Sequence, residues 1–195
     1  EFSKEADIVL IDNNSNDKSV FFVKNNFKKV KVIHHKKNYG FAKGYNKAIK
    51  QIESKYILLL NNDVLVTKHW LKPLIKFLES NKEFSVVQPK ILDLKNKKYF
   101  EYSGASGGFI DFLGIPFCRG RIGNKLEKDD GQYDDSSAIF WASGSCMLIK
   151  RDTFIKVGGF DENFFMHQEE IDLCWRSNAF KQKVYYCSKS TVFHL

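Results

Sequence analysis

The sequence predicts an α/β protein in which a mostly parallel β-sheet is flanked by helices. Apolar and β-branched runs alternate three times with helical patterns over residues 7–80. Short links between such units favour parallel strands joined by crossover helices. Each apolar run is followed by a polar cluster: Asp12-Asn-Asn-Ser-Asn-Asp17, then His35 to Asn38, then Asn61-Asn-Asp63. Ligands in open sheets of this type bind beyond the carboxyl ends of the strands. With 195 residues, 43% hydrophobic and 28% charged, the chain has enough apolar surface for one globular domain.

Residues 7–12 read as a strand, because an apolar run is closed by a polar turn. Residues 17–26 read as a short helix and residues 30–34 as a second, β-branched strand. Residues 40–52 are helical, with Ala42, Tyr45, Ala48, Ile49 and Ile52 near helical spacing. Tyr56 to Leu60 is the most apolar strand. Residues 68–80 form a helix with Trp70, Leu71, Leu74, Phe77 and Leu78 on one side, and Pro73 in its first turn, where a missing donor costs least.

Residues 94–137 break the pattern with clustered Gly, Pro and acidic residues. Phe109, Phe112, Phe117 and Tyr133 give this stretch something to bury, so it reads as a long, partly ordered insertion; such segments in compact domains tend to be functional. The regular pattern returns at 139–149, followed by a helix at 151–157, a turn at 158–161, a helix at 168–179 and strands at 184–187 and 191–194. One domain over residues 1–195 is expected, with a ligand-binding half (1–93), the insertion, and a second half at 138–195.

The net charge is +8, and residues 1–100 alone carry 20 basic against 10 acidic side chains. A basic half suits an anionic partner or simply solvates helix faces. The excess is nearly all Lys, with no Arg cluster for bidentate recognition, which argues against nucleic acid. No apolar run approaches the roughly 18 residues of a membrane span, and no stretch has a signal-peptide pattern. The four cysteines form no CxxC and no zinc spacing, and read as buried free thiols of a reducing compartment. Asn13-Asn-Ser15 matches a glycosylation sequon that nothing else supports. Gly104-Ala-Ser-Gly-Gly108 lacks the strand-to-helix setting of a dinucleotide loop, and neither GxxxxGK[ST] nor GxSxG occurs.

Three features carry chemistry. Asp63 ends the most apolar strand, where a carboxylate holds a hard cation, although Asn61-Asn-Asp63 read alone is also an ordinary turn. Gln168-Glu-Glu-Ile-Asp172 opens a helix. Its acidic residues complement the helix dipole, and they also suit a general base in a pocket. Ile171, Cys174, Trp175 and Ala179 share one side, with Leu173 and Phe180 on another, so the helix is expected to be largely buried. Glu169 and Glu170 lie about 100° apart around it and cannot do the same job. His194 ends the last strand and is by itself weak evidence.

Six stretches in order resemble the inverting glycosyltransferases of family 2, closest to bacterial rhamnosyltransferase-like members. They are Val9 to Asp17, Asn38 to Asn46, Leu58 to Val66, Ser143 to Lys150, Gly158 to Phe165 and Glu169 to Arg176. The resemblance implies the GT-A fold, a Rossmann-like sheet, here without the strand that precedes Asp7 in the family. It also implies transfer of a hexosyl or deoxyhexosyl group from a UDP- or dTDP-sugar to a glycan or lipid-linked acceptor of cell-wall or polysaccharide synthesis. Asp12 would bind the nucleobase, with Asn38, Asn46 and Asn62 lining the donor site. Asp63, with Asn61 and His194, would hold Mg²⁺ or Mn²⁺. Glu170 would be the general base beside Glu169, and Trp141, Gly144 and Asp172 would meet the acceptor. The implied location is cytoplasmic, with association at the inner face of the membrane left open. A degenerate transferase that binds nucleotide or glycan without turnover is the alternative, because Asn61 replaces the first Asp of the metal motif.

Overall fold

A computed structural model describes residues 6–195. In chain order the elements are β1 (Val9–Asp12), α1 (Ser19–Asn26), β2 (Lys31–His34), α2 (Gly40–Ile49), β3 (Tyr56–Leu60), β4 (Val64–Val66), α3 (Leu71–Ser80) and β5 (Phe84–Asp93). The insertion adds β6 (Gly108–Ile110), β7 (Pro116–Cys118), β8 (Arg121–Ile122) and β9 (Lys125–Leu126). Then follow β10 (Ser137–Ile139), β11 (Cys146–Lys150), α4 (Arg151–Lys156), α5 (Glu169–Ala179) and β12 (Lys183–His194).

The main sheet runs β10-β12-β5-β11-β3, with β4 paired to the far end of β12. Only β5 and β12 are parallel within it; the other pairings are antiparallel. β1 and β2 form a separate parallel pair. The sheet is therefore mixed, which corrects the mostly parallel expectation. β11 enters antiparallel between β3 and β5, and nothing in a short apolar run records its direction. Among the described residues β1 pairs with β2 and with no strand of the main sheet.

Side-chain alternation gives the sheet two buried faces. Ile57, Leu59, Val86, Met147 and Ile149 point to one face, against Ala42 and Ile49 of α2, Phe154 of α4 and Leu173 and Cys174 of α5. Val87, Ile91, Cys146 and Leu148 point to the other, under Leu71, Leu74 and Leu78 of α3 and Trp70 just before it. A strand covered on both faces reads as a continuous apolar run, which is why Tyr56–Leu60 is legible in the sequence.

β5 is the central strand that sequence patterning misses. It is buried along nearly its whole length yet holds Gln88, Pro89 and Lys90. Proline is normally confined to strand edges or bulges. Here the ladder to β12 is irregular between Cys187 and Thr191, opposite Pro89 and Lys90. Lys90 is buried but paired with Asp129 at 2.7 Å and Asp134 at 2.6 Å, both from the insertion. Their carboxylates hold its ammonium above the usual lysine range, against the effect of burial. The insertion is thus tied to the core by charge as well as by Phe100 and Ala105. Of its aromatic residues, Phe112 and Phe117 are exposed rather than buried. The four cysteines are buried and unpaired, and no helix among the described residues is long and apolar enough to cross a membrane.

Candidate active site

The residues after β1, β2 and β3, the loop before β11 and the start of α5 form one continuous strip. At one end is Asp12, which is buried. It accepts the Ser15 backbone N–H at 3.1 Å and pairs with His34. Burial pushes its carboxyl up, but these partners together bring it below the usual range. The Asn13 amide donates to the Gly40 carbonyl at 2.9 Å, which joins the end of β1 to the start of α2. Asn38, exposed, accepts the Gly40 N–H at 2.9 Å and shapes the entry of the same helix. Gly40 has φ +74, and a Cβ there would sit 2.5 Å from the Phe165 carbonyl oxygen. Only glycine allows this close crossing of two loops.

The middle of the strip is built around Gly144. A Cβ at this position would lie 3.4 Å from the Phe41 ring and 3.7 Å from Glu170 Cβ. Gly144 belongs to the loop between β10 and β11, which is held from beneath. The Ser143 N–H donates to Gln88 Oε1 at 2.9 Å, and Gln88 in turn donates to the Gly104 carbonyl at 2.8 Å. The adjacent Ser145 carbonyl accepts the Asn61 N–H at 2.9 Å. That contact carries the strip from the Glu170 side to the end of β3.

α5 starts abruptly. His167 and Gln168 both have left-handed backbones, φ 74 and 73, a costly arrangement for non-glycine residues that concentrates at functional sites. The helix is one-sided rather than largely buried: Glu169, Leu173, Cys174 and Ser177 face inward while Trp175 and Phe180 are exposed. Burial raises the Glu170 carboxyl from its ordinary 4.5 to about 7, with the neighbouring Glu169 charge adding to it. Glu169 is also raised by burial, and its Oε2 is buried without a hydrogen-bond partner among the described residues.

At the far end, His194 Nε2 lies 3.2 Å from Asp63 Oδ1, and its Nδ1 lies 3.3 Å from Glu101 Oε1. Glu101 comes from the insertion and is buried; its second oxygen accepts the Ser103 N–H at 2.6 Å. The Glu101 carboxylate holds the His194 imidazole above its usual value despite burial, with Asp63 contributing. Sequence reasoning missed Glu101, because an isolated Glu in an irregular segment carries no pattern. Among the described residues no three His, Cys, Asp or Glu side chains are grouped to hold a metal. Asp63 and His194 nevertheless fit a cation shared with a ligand. Their separation suits adjacent positions of one octahedral ion, roughly 3 Å apart, and such ions take one or two protein ligands plus phosphates.

Three predicted contact residues have other work. The Asn46 amide donates to the Phe160 carbonyl at 2.8 Å and accepts the Phe160 N–H at 2.9 Å, so this buried side chain anchors the 158–160 turn. Trp141 is buried, packs on Gly104 and Gly108, and donates to the Phe109 carbonyl at 2.9 Å; it supports the Gly144 loop from behind. Asp172 pairs with Arg176, which also clamps the carbonyls of Val157 and Gly159. Asn62 is exposed at the rim between Asn61 and Asp63.

The mixed sheet flanked by helices, with carboxylates and amides at its strand ends, has the GT-A fold of its structural neighbours. The family model of "Glycosyl transferase family 2" matches residues 2–158, and the chain belongs to that family. Rhamnosyltransferase WbbL of Escherichia coli (strain K12) is 29% identical over 163 residues, covering 80% of this chain and 61% of WbbL. An N-acetylglucosaminyl-diphospho-decaprenol L-rhamnosyltransferase of Mycobacterium tuberculosis (strain ATCC 25618 / H37Rv) is 24% identical, covering 98% of this chain and 67% of that protein. The chain thus spans about three fifths to two thirds of these relatives' length. In fold it is similar to GalNAc-T7, solved with UDP, GalNAc and Mn²⁺ (TM-score 0.73, 17% identity, 97% of this chain and 37% of that one). It is also similar to S. aureus TarS in complex with UDP (TM-score 0.65, 17% identity, 96% of this chain and 50% of that one).

Proposed function

We propose that the chain transfers a hexosyl or deoxyhexosyl group from a UDP- or dTDP-sugar to a hydroxyl of a glycan or lipid-linked acceptor, with inversion. The observation that carries this reading is the position of Glu170. It lies beneath Gly144, midway along a strip that runs from Asp12 to Asp63, with its carboxyl poised near neutrality. An effective base has its pKa near the working pH. The acceptor oxygen attacks the anomeric carbon opposite the leaving group. The new C–O bond forms as the bond to the diphosphate breaks, the proton passes to Glu170, and the nucleoside diphosphate leaves with the electron pair. Asp12 and Asn38 bound the nucleoside end of the strip. Asp63 and His194 would hold Mg²⁺ or Mn²⁺, which as a Lewis acid offsets charge on the diphosphate. Glu101 orients His194, and Glu169 is the buried carboxyl beside the base. Rhamnosyl transfer in both relatives' names, and decaprenol in one of them, support a deoxyhexosyl donor and a lipid-linked acceptor.

The test is a screen of nucleotide sugars with Mn²⁺ and a lipid-linked acceptor, reading the product anomer by NMR. Inverted product that disappears with Glu170→Gln supports the reading. Retained configuration, or nucleotide binding without any turnover, overturns it.

A further inference from the structure

One side of α5 lines a groove beside the proposed base. Ile171, Asp172 and Trp175 lie at helical spacing from the cap residue Gln168, so they form one stripe. The stripe is the floor of a groove of about 390 Å³, walled by Phe164 and by Pro116 of the β6–β7 hairpin. Glu170 stands outside the stripe, but Ile171 follows it directly. The wall leads back to the same place. Phe164 adjoins Phe165, whose carbonyl accepts the Phe41 N–H at 2.9 Å. The Phe41 ring and Glu170 Cβ in turn flank Gly144. The groove and the proposed base are therefore neighbours built from shared segments.

The lining joins one aromatic face to two polar groups. Trp175 is 50% exposed, whereas Trp70 and Trp141 are buried. Its ring meets Phe140 edge-on with centroids 5.4 Å apart, and the Asn178 amide holds the Phe140 carbonyl at 2.9 Å, so the indole is fixed from behind. Arg176 Nε donates to Asp172 Oδ2 at 3.0 Å. Among the described residues no hydrogen bond occupies Asp172 Oδ1 or the side-chain amide of Gln168. These groups select the occupant. An apolar chain would cover Asp172 and Gln168 and leave them unpaired. An anionic group would meet the carboxylates of Asp172 and Glu170, on either side of Ile171. An uncharged sugar ring suits both features. Its C–H face covers the indole, and its hydroxyls donate to Asp172 and exchange hydrogen bonds with Gln168. The volume is that of a small ligand pocket.

The geometry points to a carbohydrate subsite in this groove, with Trp175 as stacking platform and Gln168 and Asp172 reading hydroxyls, which selects an uncharged sugar ring of the acceptor. That the ring belongs to the acceptor rests on the proposed function; that the groove holds a ring does not. The test is saturation-transfer NMR with methyl glycosides of glucose, galactose, mannose, rhamnose and N-acetylglucosamine. Glucuronate and hexanol probe the anionic and the apolar alternatives. At least one neutral glycoside is expected to receive saturation, strongest on the C–H protons of one ring face, and to shift the tryptophan emission, since Trp175 is the exposed tryptophan. Trp175→Ala weakens its binding at least about tenfold, Trp175→Tyr retains most of it, and Gln168→Ala weakens it about fivefold. An unchanged melting temperature shows that each variant is folded. Binding of no neutral glycoside overturns the proposal, as does glucuronate or hexanol binding as well as the best of them. So does glycoside binding that neither Trp175→Ala nor Gln168→Ala weakens. Glycoside binding is read without a donor sugar, so failure of sugar transfer and failure of the subsite are separate results.

Discussion

Replacing Glu170 by Gln keeps the shape of the side chain and removes its charge. Burial raises this carboxyl from 4.5 to about 7, and each pH unit of displacement corresponds to about 1.4 kcal/mol. The native chain therefore carries a cost of up to about 3 kcal/mol for ionising Glu170 in the folded state. The sign follows from linkage. With the folded value above the unfolded one, stability is fully present below pH 4.5 and is lost as pH rises through 7. Glu170→Gln is thus expected to match the native chain at pH 4 and to exceed it at pH 8 by up to about 3 kcal/mol, or about 6–12 °C in melting temperature for a chain of this size. The same variant is expected to lose at least about 100-fold in the chemical step while keeping donor binding. Thermal melts across pH and single-turnover transfer measure the two effects. Equal stability of both proteins at every pH would refute the burial argument. Loss of rate in Glu169→Gln instead would move the base by one residue.

Asp63→Ala is expected to abolish Mn²⁺-dependent binding of UDP in a calorimetric titration, and full affinity in the variant or in EDTA would remove the metal role. Glu101→Ala is expected to weaken Mn²⁺ binding, read by electron paramagnetic resonance with UDP present, by about tenfold. Glu101→Gln should retain most of that affinity, because its amide oxygen still accepts from His194 Nδ1–H; equal losses in both variants would leave Glu101 a merely structural residue. Gly108→Ala is expected to cost at least about 1–3 kcal/mol in denaturant unfolding, because its Cβ would sit 2.0 Å from the Trp141 ring.

Much of the scaffold was legible locally. The strand over Tyr56–Leu60, the helices over α2, α3 and α5, and polar clusters at strand ends all follow from periodicity and turn chemistry within a short window. The acidic start of α5 and the terminal His194 could be singled out for the same reason. β5 could not, since Pro89 and Lys90 contradict a central strand until the irregular ladder at β12 and the pair of aspartates from the insertion are known. Strand direction was equally hidden: β11 is antiparallel because of where the chain re-enters the sheet. Trp141, Asn46 and Asp172 carry the residue types of a binding site, and only the tertiary structure shows the internal hydrogen bonds that they make.

The sequence by itself determined the layered α/β architecture, the position of Asp63 at a strand end and the acidic pair that opens α5. These depend on hydrophobic spacing and on residues close together in the chain. The tertiary structure decided that Glu170 lies under Gly144, that Glu101 reaches His194 from 93 residues away, and that Phe112 stands out from the surface instead of filling the core. Each of these depends on which distant backbone supplies the neighbour, and burial, pKa and exposure are properties of neighbours in space.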